Sequence, residues 1–134
     1  MAMNVNELMK GDWVLVDDIH ALEIGAMMPA RVKQIYECGI IIDCGEGDEE
    51  CEIFKPVPLT HEILVKNGLN ECFDGAIEYE YFPEDKNRLL EITEENGEVW
   101  WTINIAEYRI AKLEYVHQLQ HAIRLLGIAK EIIL

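Results

Sequence analysis

The chain has 134 residues, half of them apolar, and a formal net charge of −15. That is enough apolar matter for one domain with its own core. It excludes a disordered protein and a helical membrane protein, which needs runs of about 18 apolar residues. The charge is uneven: residues 1–105 hold 23 acids and 7 bases, whereas residues 106–134 hold 3 acids and 4 bases. Such a field keeps a protein soluble. It also opposes nucleic acid and anionic membranes and favours basic partners or cations. Residues 1–7 show neither a basic start nor an apolar run, so no secretory signal is read there. The expectation is a cytoplasmic chain with free thiols at Cys38, Cys44, Cys51 and Cys72. Their spacing lacks the C-x2-C pairs of a structural zinc site.

The first segment reads as an antiparallel β meander. Residues 11–16 form a strand opened by Gly11-Asp12, and residues 30–36 alternate around Val32. Residues 39–44 are β-branched and apolar, which suits a buried strand, and residues 51–54 return. The acidic stretch between them is a hairpin. With Gly47-Asp48 as a two-residue tip, Glu46 faces Glu49, Cys44 faces Cys51 and Asp43 faces Glu52. Like charges set opposite one another are unfavourable, so the tip is expected to be solvated, mobile or holding a cation.

Residues 55–59 form an extended connector, because each proline turns the residue before it away from helix. Thr60 is the N-cap of a short helix with Glu62 in its first turn, and Asn67-Gly68 stops it. The second half reads as an antiparallel sheet. In residues 76–82, Ile77, Tyr79 and Tyr81 share one face and Glu78 and Glu80 the other. Residues 88–93 follow, then a turn at 95–98. In residues 99–105, Val99, Trp101, Ile103 and Ile105 form the core face, with Glu98, Trp100, Thr102 and Asn104 on the other. A short strand near 107–112 leads into a helix from about Glu114. Its apolar arc is Val116, Leu119, Ala122, Ile123 and Leu126, and its polar arc holds His117, His121 and Arg124. Gly127 is the stop. The tail 128–134 ends in Ile132-Ile133-Leu134 and is expected to dock on the sheet or on a second subunit. The fold expectation is α+β, one domain over 1–134. It comprises a small SH3-like meander over 10–55, then a short helix, an antiparallel sheet and a C-terminal helix over 59–134.

Three blocks together resemble a family of short uncharacterised proteins from prophages and mobile elements of gut bacteria. They are Asn6-Glu7-Leu8 with Gly11-Asp12-Trp13-Val14, then Pro56-Val57-Pro58-Leu59-Thr60-His61-Glu62-Ile63-Leu64 with Gly68, then Tyr115-Val116-His117-Gln118-Leu119-Gln120. They cover about a quarter of the chain, in the order the family shows, and the third is the most specific. The resemblance implies a mobile-element setting and carries over no catalytic residues. The chain departs from the family at Asp12, where members often have Asn, and over 121–134, where members have an aromatic-rich stretch.

Four groups of residues carry candidate chemistry. His117 and His121 stand at i, i+4, which sets two imidazoles on one side of a helix and can chelate zinc. The residues between them supply no glutamate of the H-E-x-x-H kind, and a solvated helix face is the preferred explanation. Asp43, Glu46, Asp48, Glu50 and Glu52 offer oxygen ligands to a hard cation, or a solvated acidic hairpin outside the EF-hand pattern. Cys44 and Cys51, with Cys38 nearby, offer thiol chemistry or small core residues. Trp100, flanked on its face by Glu98, Thr102 and Asn104, needs a cover, which is either the C-terminal helix or a partner protein. The chain contains no serine, no Walker motif and no G-x-G-x-x-G, so nothing supports an enzyme and no cofactor is implied. The leading expectation is a non-enzymatic accessory protein whose acidic face meets a basic partner, without direct binding to nucleic acid or membrane. The alternatives are a metal-dependent enzyme or metal-binding protein using His117 and His121 or the acidic hairpin, and an oligomeric structural or assembly protein joined through the tail 128–134.

Overall fold

The computed structural model describes residues 5–17, 26–43, 47–73, 76–81, 90–95, 98–103, 111–125 and 131–134. Its order is a 3-10 turn at Val5–Glu7, β1 (Trp13–Asp17), β2 (Met27–Tyr36), β3 (Gly39–Asp43), β4 (Asp48–Cys51), β5 (Lys55–Pro56), α1 (His61–Lys66), β6 (Asn70–Phe73), β7 (Ala76–Tyr81), β8 (Leu90–Glu95), β9 (Glu98–Ile103), β10 (Ala111–Lys112) and α2 (Val116–Leu125). The fold is α+β, with two five-stranded antiparallel sheets. The chain divides into two compact units, residues 1–57 and 58–134, at the connector that the prolines mark.

In the first unit the strand order is β4-β3-β2-β1-β5. The pairings Val14↔Ala30 and Val32↔Ile42 turn one side chain of every two inward. Val14, Val16, Ala30, Val32, Ile40, Ile42 and Phe54 are buried together with Leu8, and Met28 and Cys51 pack against them. Fully burying a valine or isoleucine is worth about 1.5–3 kcal/mol, so this cluster is what holds the meander. A bulge between Val32 and Gln34 takes Lys33 out of the ladder. Gly39 is required by close approach. A Cβ there would strike the main-chain oxygen of Cys51.

The hairpin differs from its expected register. Strand β4 is Asp48–Cys51, not residues 51–54, and it pairs Asp43↔Asp48, Ile42↔Glu49, Ile41↔Glu50 and Ile40↔Cys51. Cys51 therefore faces Ile40 rather than Cys44, and Asp43 faces Asp48 rather than Glu52. Both registers place the same residues inward, and alternation cannot separate shifts by an even number. In the observed one, Cys51 lies beside the buried Ile40. Cys44 and Glu46 lie outside the described residues.

In the second unit the order is β10-β9-β8-β7-β6. Strand β6 has no clean alternation, and sequence reasoning does not find it. The ladder from Leu90↔Ile103 to Glu95↔Glu98 sets the fully buried Ile92 opposite Trp101 and Thr93 opposite Trp100. Helix α1 begins as its sequence predicts. The Thr60 side chain accepts the Ile63 N–H at 3.3 Å. It ends in a Schellman arrangement: Gly68 N–H donates to Val65 O, Leu69 N–H donates to Leu64 O, and Gly68 has φ +83. Helix α2 starts with Gln118 Oε1 accepting the Tyr115 N–H at 3.1 Å and the Glu114 N–H at 2.7 Å, half of a capping box. Val116, Leu119, Ala122 and Ile123 are buried as the helical period predicts. Leu126, the Gly127 stop, Phe82, residues 88–89, the turn at 96–97 and residues 104–110 lie outside the described residues. No helix of the described residues is long and apolar enough to cross a membrane.

Candidate functional site

The outer face of the first sheet carries a row of polar residues across four strands. Trp13↔Arg31, Arg31↔Asp43 and Asp43↔Asp48 are successive register pairs. The Arg31 guanidinium lies over the Trp13 ring, 4.6 Å from its centroid, which immobilises the cation beside the acidic end of the row. Lys33, carried outward by the bulge, donates to Asp48 Oδ1 at 2.8 Å. This bond, then the Asp48 charge, raises the Lys33 pKa, with Asp43 adding to it. The expected charge conflict at the hairpin is thus met by a cation from the chain itself.

Beyond that pair the edge stays acidic. Asp43, Asp48, Glu50 and Glu52 are exposed and Glu49 is half-buried. Partial burial, followed by the Glu50 and Glu52 carboxylates, pushes the Tyr36 hydroxyl up. Burial, followed by Glu49 and Asp17, pushes the Cys51 thiol up, so Cys51 holds its proton more tightly than an ordinary cysteine. Cys51 is thus unsuited to nucleophilic work near neutral pH. Cys38 is exposed in the turn between β2 and β3. The side chain of Cys72 lies outside the described residues.

Trp100 stands on β9 between Thr93 of β8 and Lys112 of β10. It is half-buried, with its Nε1 beneath the surface. Glu98 is exposed and meets Lys112 at 3.5 Å, while Lys112 also reaches Glu114 at 3.4 Å. The Lys112 pKa is raised by its bond to Glu114 first and by the Glu98 charge second. Asn104 and the side chain of Thr102 lie outside the described residues.

His117 does not lie on a solvated arc. It is 3% exposed and Gln120 is 6% exposed, so helix α2 is covered on more than its apolar face. The His117 ring stacks on Tyr115 at 5.8 Å and meets His121 edge-on at 5.6 Å. A helical wheel reports polarity, not what covers a face, and the aromatic step Tyr115-His117 is a short-range contact that the wheel ignores. The structure brings the two histidines together, away from the acidic hairpin in sequence and unit. Among the described residues, no group of three or more His, Cys, Asp or Glu is placed to hold a metal ion.

Two residues that the sequence marks only as a strand opening and a helix stop are buried and organise main chain. Asp12, fully buried, accepts the Met9 N–H at 2.8 Å through Oδ2, and its main-chain oxygen accepts the Val32 N–H at 2.9 Å. Asn67, 3% exposed, accepts the Ile133 N–H at 2.8 Å and donates to Ile133 O and Ile63 O, each at 2.8 Å. Lys66 Nζ donates to the main-chain oxygen of Leu134 at 2.6 Å. The end of the tail is therefore fastened to the C-terminus of α1, with Ile132 buried and Ile133 56% exposed. The signal available was Asn67 itself, which sits at a helix end where its amide can reach past the cap.

No protein-family model, curated protein or solved structure matches the chain.

Proposed function

We propose that the chain is a non-enzymatic accessory protein that binds a basic protein through the acidic outer face and edge of its first sheet. The observation that carries this reading is the segment 43–52, which contains six acids and no base. Four of those acids, Asp43, Asp48, Glu50 and Glu52, are exposed along one hairpin and its exit. Lys33 answers Asp48, and the exposed Glu50 and Glu52 present negative potential to whatever approaches. The mobile-element setting rests on the three sequence blocks and belongs to the same proposal.

The test is capture from a host lysate on the immobilised chain, at low and moderate salt and with nuclease, alongside a variant carrying Asp48→Asn, Glu50→Gln and Glu52→Gln. A basic protein retained at low salt, insensitive to nuclease and lost with the variant supports the reading, because electrostatic association is strongest at low salt. Equal retention by the variant, or retention of nothing at low salt, overturns it.

A further inference from the structure

Strand β4 lies at one end of its sheet, and among the described residues no strand pairs with its far side. Its main chain has a direction that can be read. The Cys51 carbonyl lies against Gly39 of β3. In an antiparallel ladder N–H and C=O of one residue point the same way and alternate along the strand. Glu49 and Cys51 therefore aim their main-chain groups at β3, and Asp48 and Glu50 aim theirs away from the sheet. These same two residues have exposed side chains, so main-chain donors and acceptors lie beside the Glu50 carboxylate and beside Asp48, whose Oδ1 Lys33 already holds. Past the strand, Ile53 is 66% exposed and continues the edge with an apolar contact.

We propose that β4 is a docking edge on which an extended, basic segment of a partner protein adds as a further strand. The inference rests on the reading that the acidic face binds a basic protein and specifies how. Main-chain bonds to Asp48 and Glu50 supply the pairing, and lysine or arginine at alternate positions of the incoming strand lies beside the two carboxylates. A second copy of this chain is a poor occupant, because two β4 strands side by side set acid against acid. Charged side chains on an edge serve that exclusion in many proteins, and here they also choose the sign of the guest.

The test uses the unaltered chain and two synthetic probes at low salt: a short peptide alternating lysine with valine, and the same peptide methylated on its main-chain nitrogens. Charge is equal, and only the first can pair as a strand. The expected result is about tenfold or greater weakening on methylation, the loss of one or two hydrogen bonds. The unmethylated peptide should also slow amide exchange at Asp48 and Glu50. Equal affinity for both peptides overturns strand addition while leaving the acidic-face reading intact. Binding of neither overturns both. Protection of the same amides without peptide, rising with protein concentration, assigns the edge to a second copy and overturns the proposal.

Discussion

Asp12 in the first unit and Asn67 in the second are both buried polar side chains, and they solve one problem over different spans of chain. Asp12 ties a turn that begins three residues before it and seats that turn against β2 through Val32. Asn67 ties residues 66 positions apart, fastening the segment 131–134 to the end of α1. Each converts main-chain groups that burial would leave unsatisfied into paired ones. The difference teaches where sequence reasoning stops. A clamp of short span announces itself through neighbouring turn residues, whereas a clamp of long span shows only one asparagine.

Removing the longer clamp is the larger test. Asn67→Ala deprives Ile133 N–H and Ile133 O of their partner at once, while Ile63 O keeps the main-chain N–H of residue 67. It should cost about 2–4 kcal/mol in urea unfolding, with amide exchange at Ile132 and Ile133 accelerating most. Asp12→Ala should cost about 1–3 kcal/mol. Asp12→Asn, which retains a carbonyl acceptor for Met9, should cost far less. Equal losses for the two Asp12 variants would mean that charge rather than hydrogen bonding holds the turn. Thr60→Ala removes a long 3.3 Å cap bond, and about 0.5–1 kcal/mol is the expected change in unfolding free energy.

The smallest effect concerns pH and separates the units. Lys33, Tyr36 and Cys51 in the first unit and Lys112 in the second all hold their protons more tightly folded than in the ordinary state. Stability linked to them is complete below their unfolded pKa values and is lost as pH rises through the folded ones. Thermal unfolding followed from pH 8 to 11 should therefore show decline beginning near the ordinary thiol range, about 8.5. Exchange at amides of the first sheet should rise before that of the second. A rise in stability over this window would contradict the assigned directions.

Much of the fold was legible. Thr60 and Asn67-Gly68 bounded α1 because caps are chemical requirements of a helix end, and Val116, Leu119, Ala122 and Ile123 announced the buried arc of α2. Strands β1, β2 and β3 followed from β-branched alternation. The hairpin register did not, since a two-residue period is blind to even shifts, and neither did Lys33 as the counter-ion, because a bulge has no sequence period. His117 was placed on the wrong side of the solvent boundary for lack of any knowledge of what covers it. Of the candidate sites, the acidic hairpin keeps its exposed carboxylates in one place, with the chain's own lysine where a cation was considered. The paired histidines come together without a third ligand among the described residues.

The most direct measurement is an amide spectrum of the isotopically labelled chain titrated at low salt with a lysine-rich extended peptide. The account predicts that shifts concentrate at Lys33 and along Gly39–Asp43 and Asp48–Cys51, fading as salt is raised. Shifts concentrated instead at the Trp100 indole or around His117 and His121 would contradict it and move the binding face to the second unit.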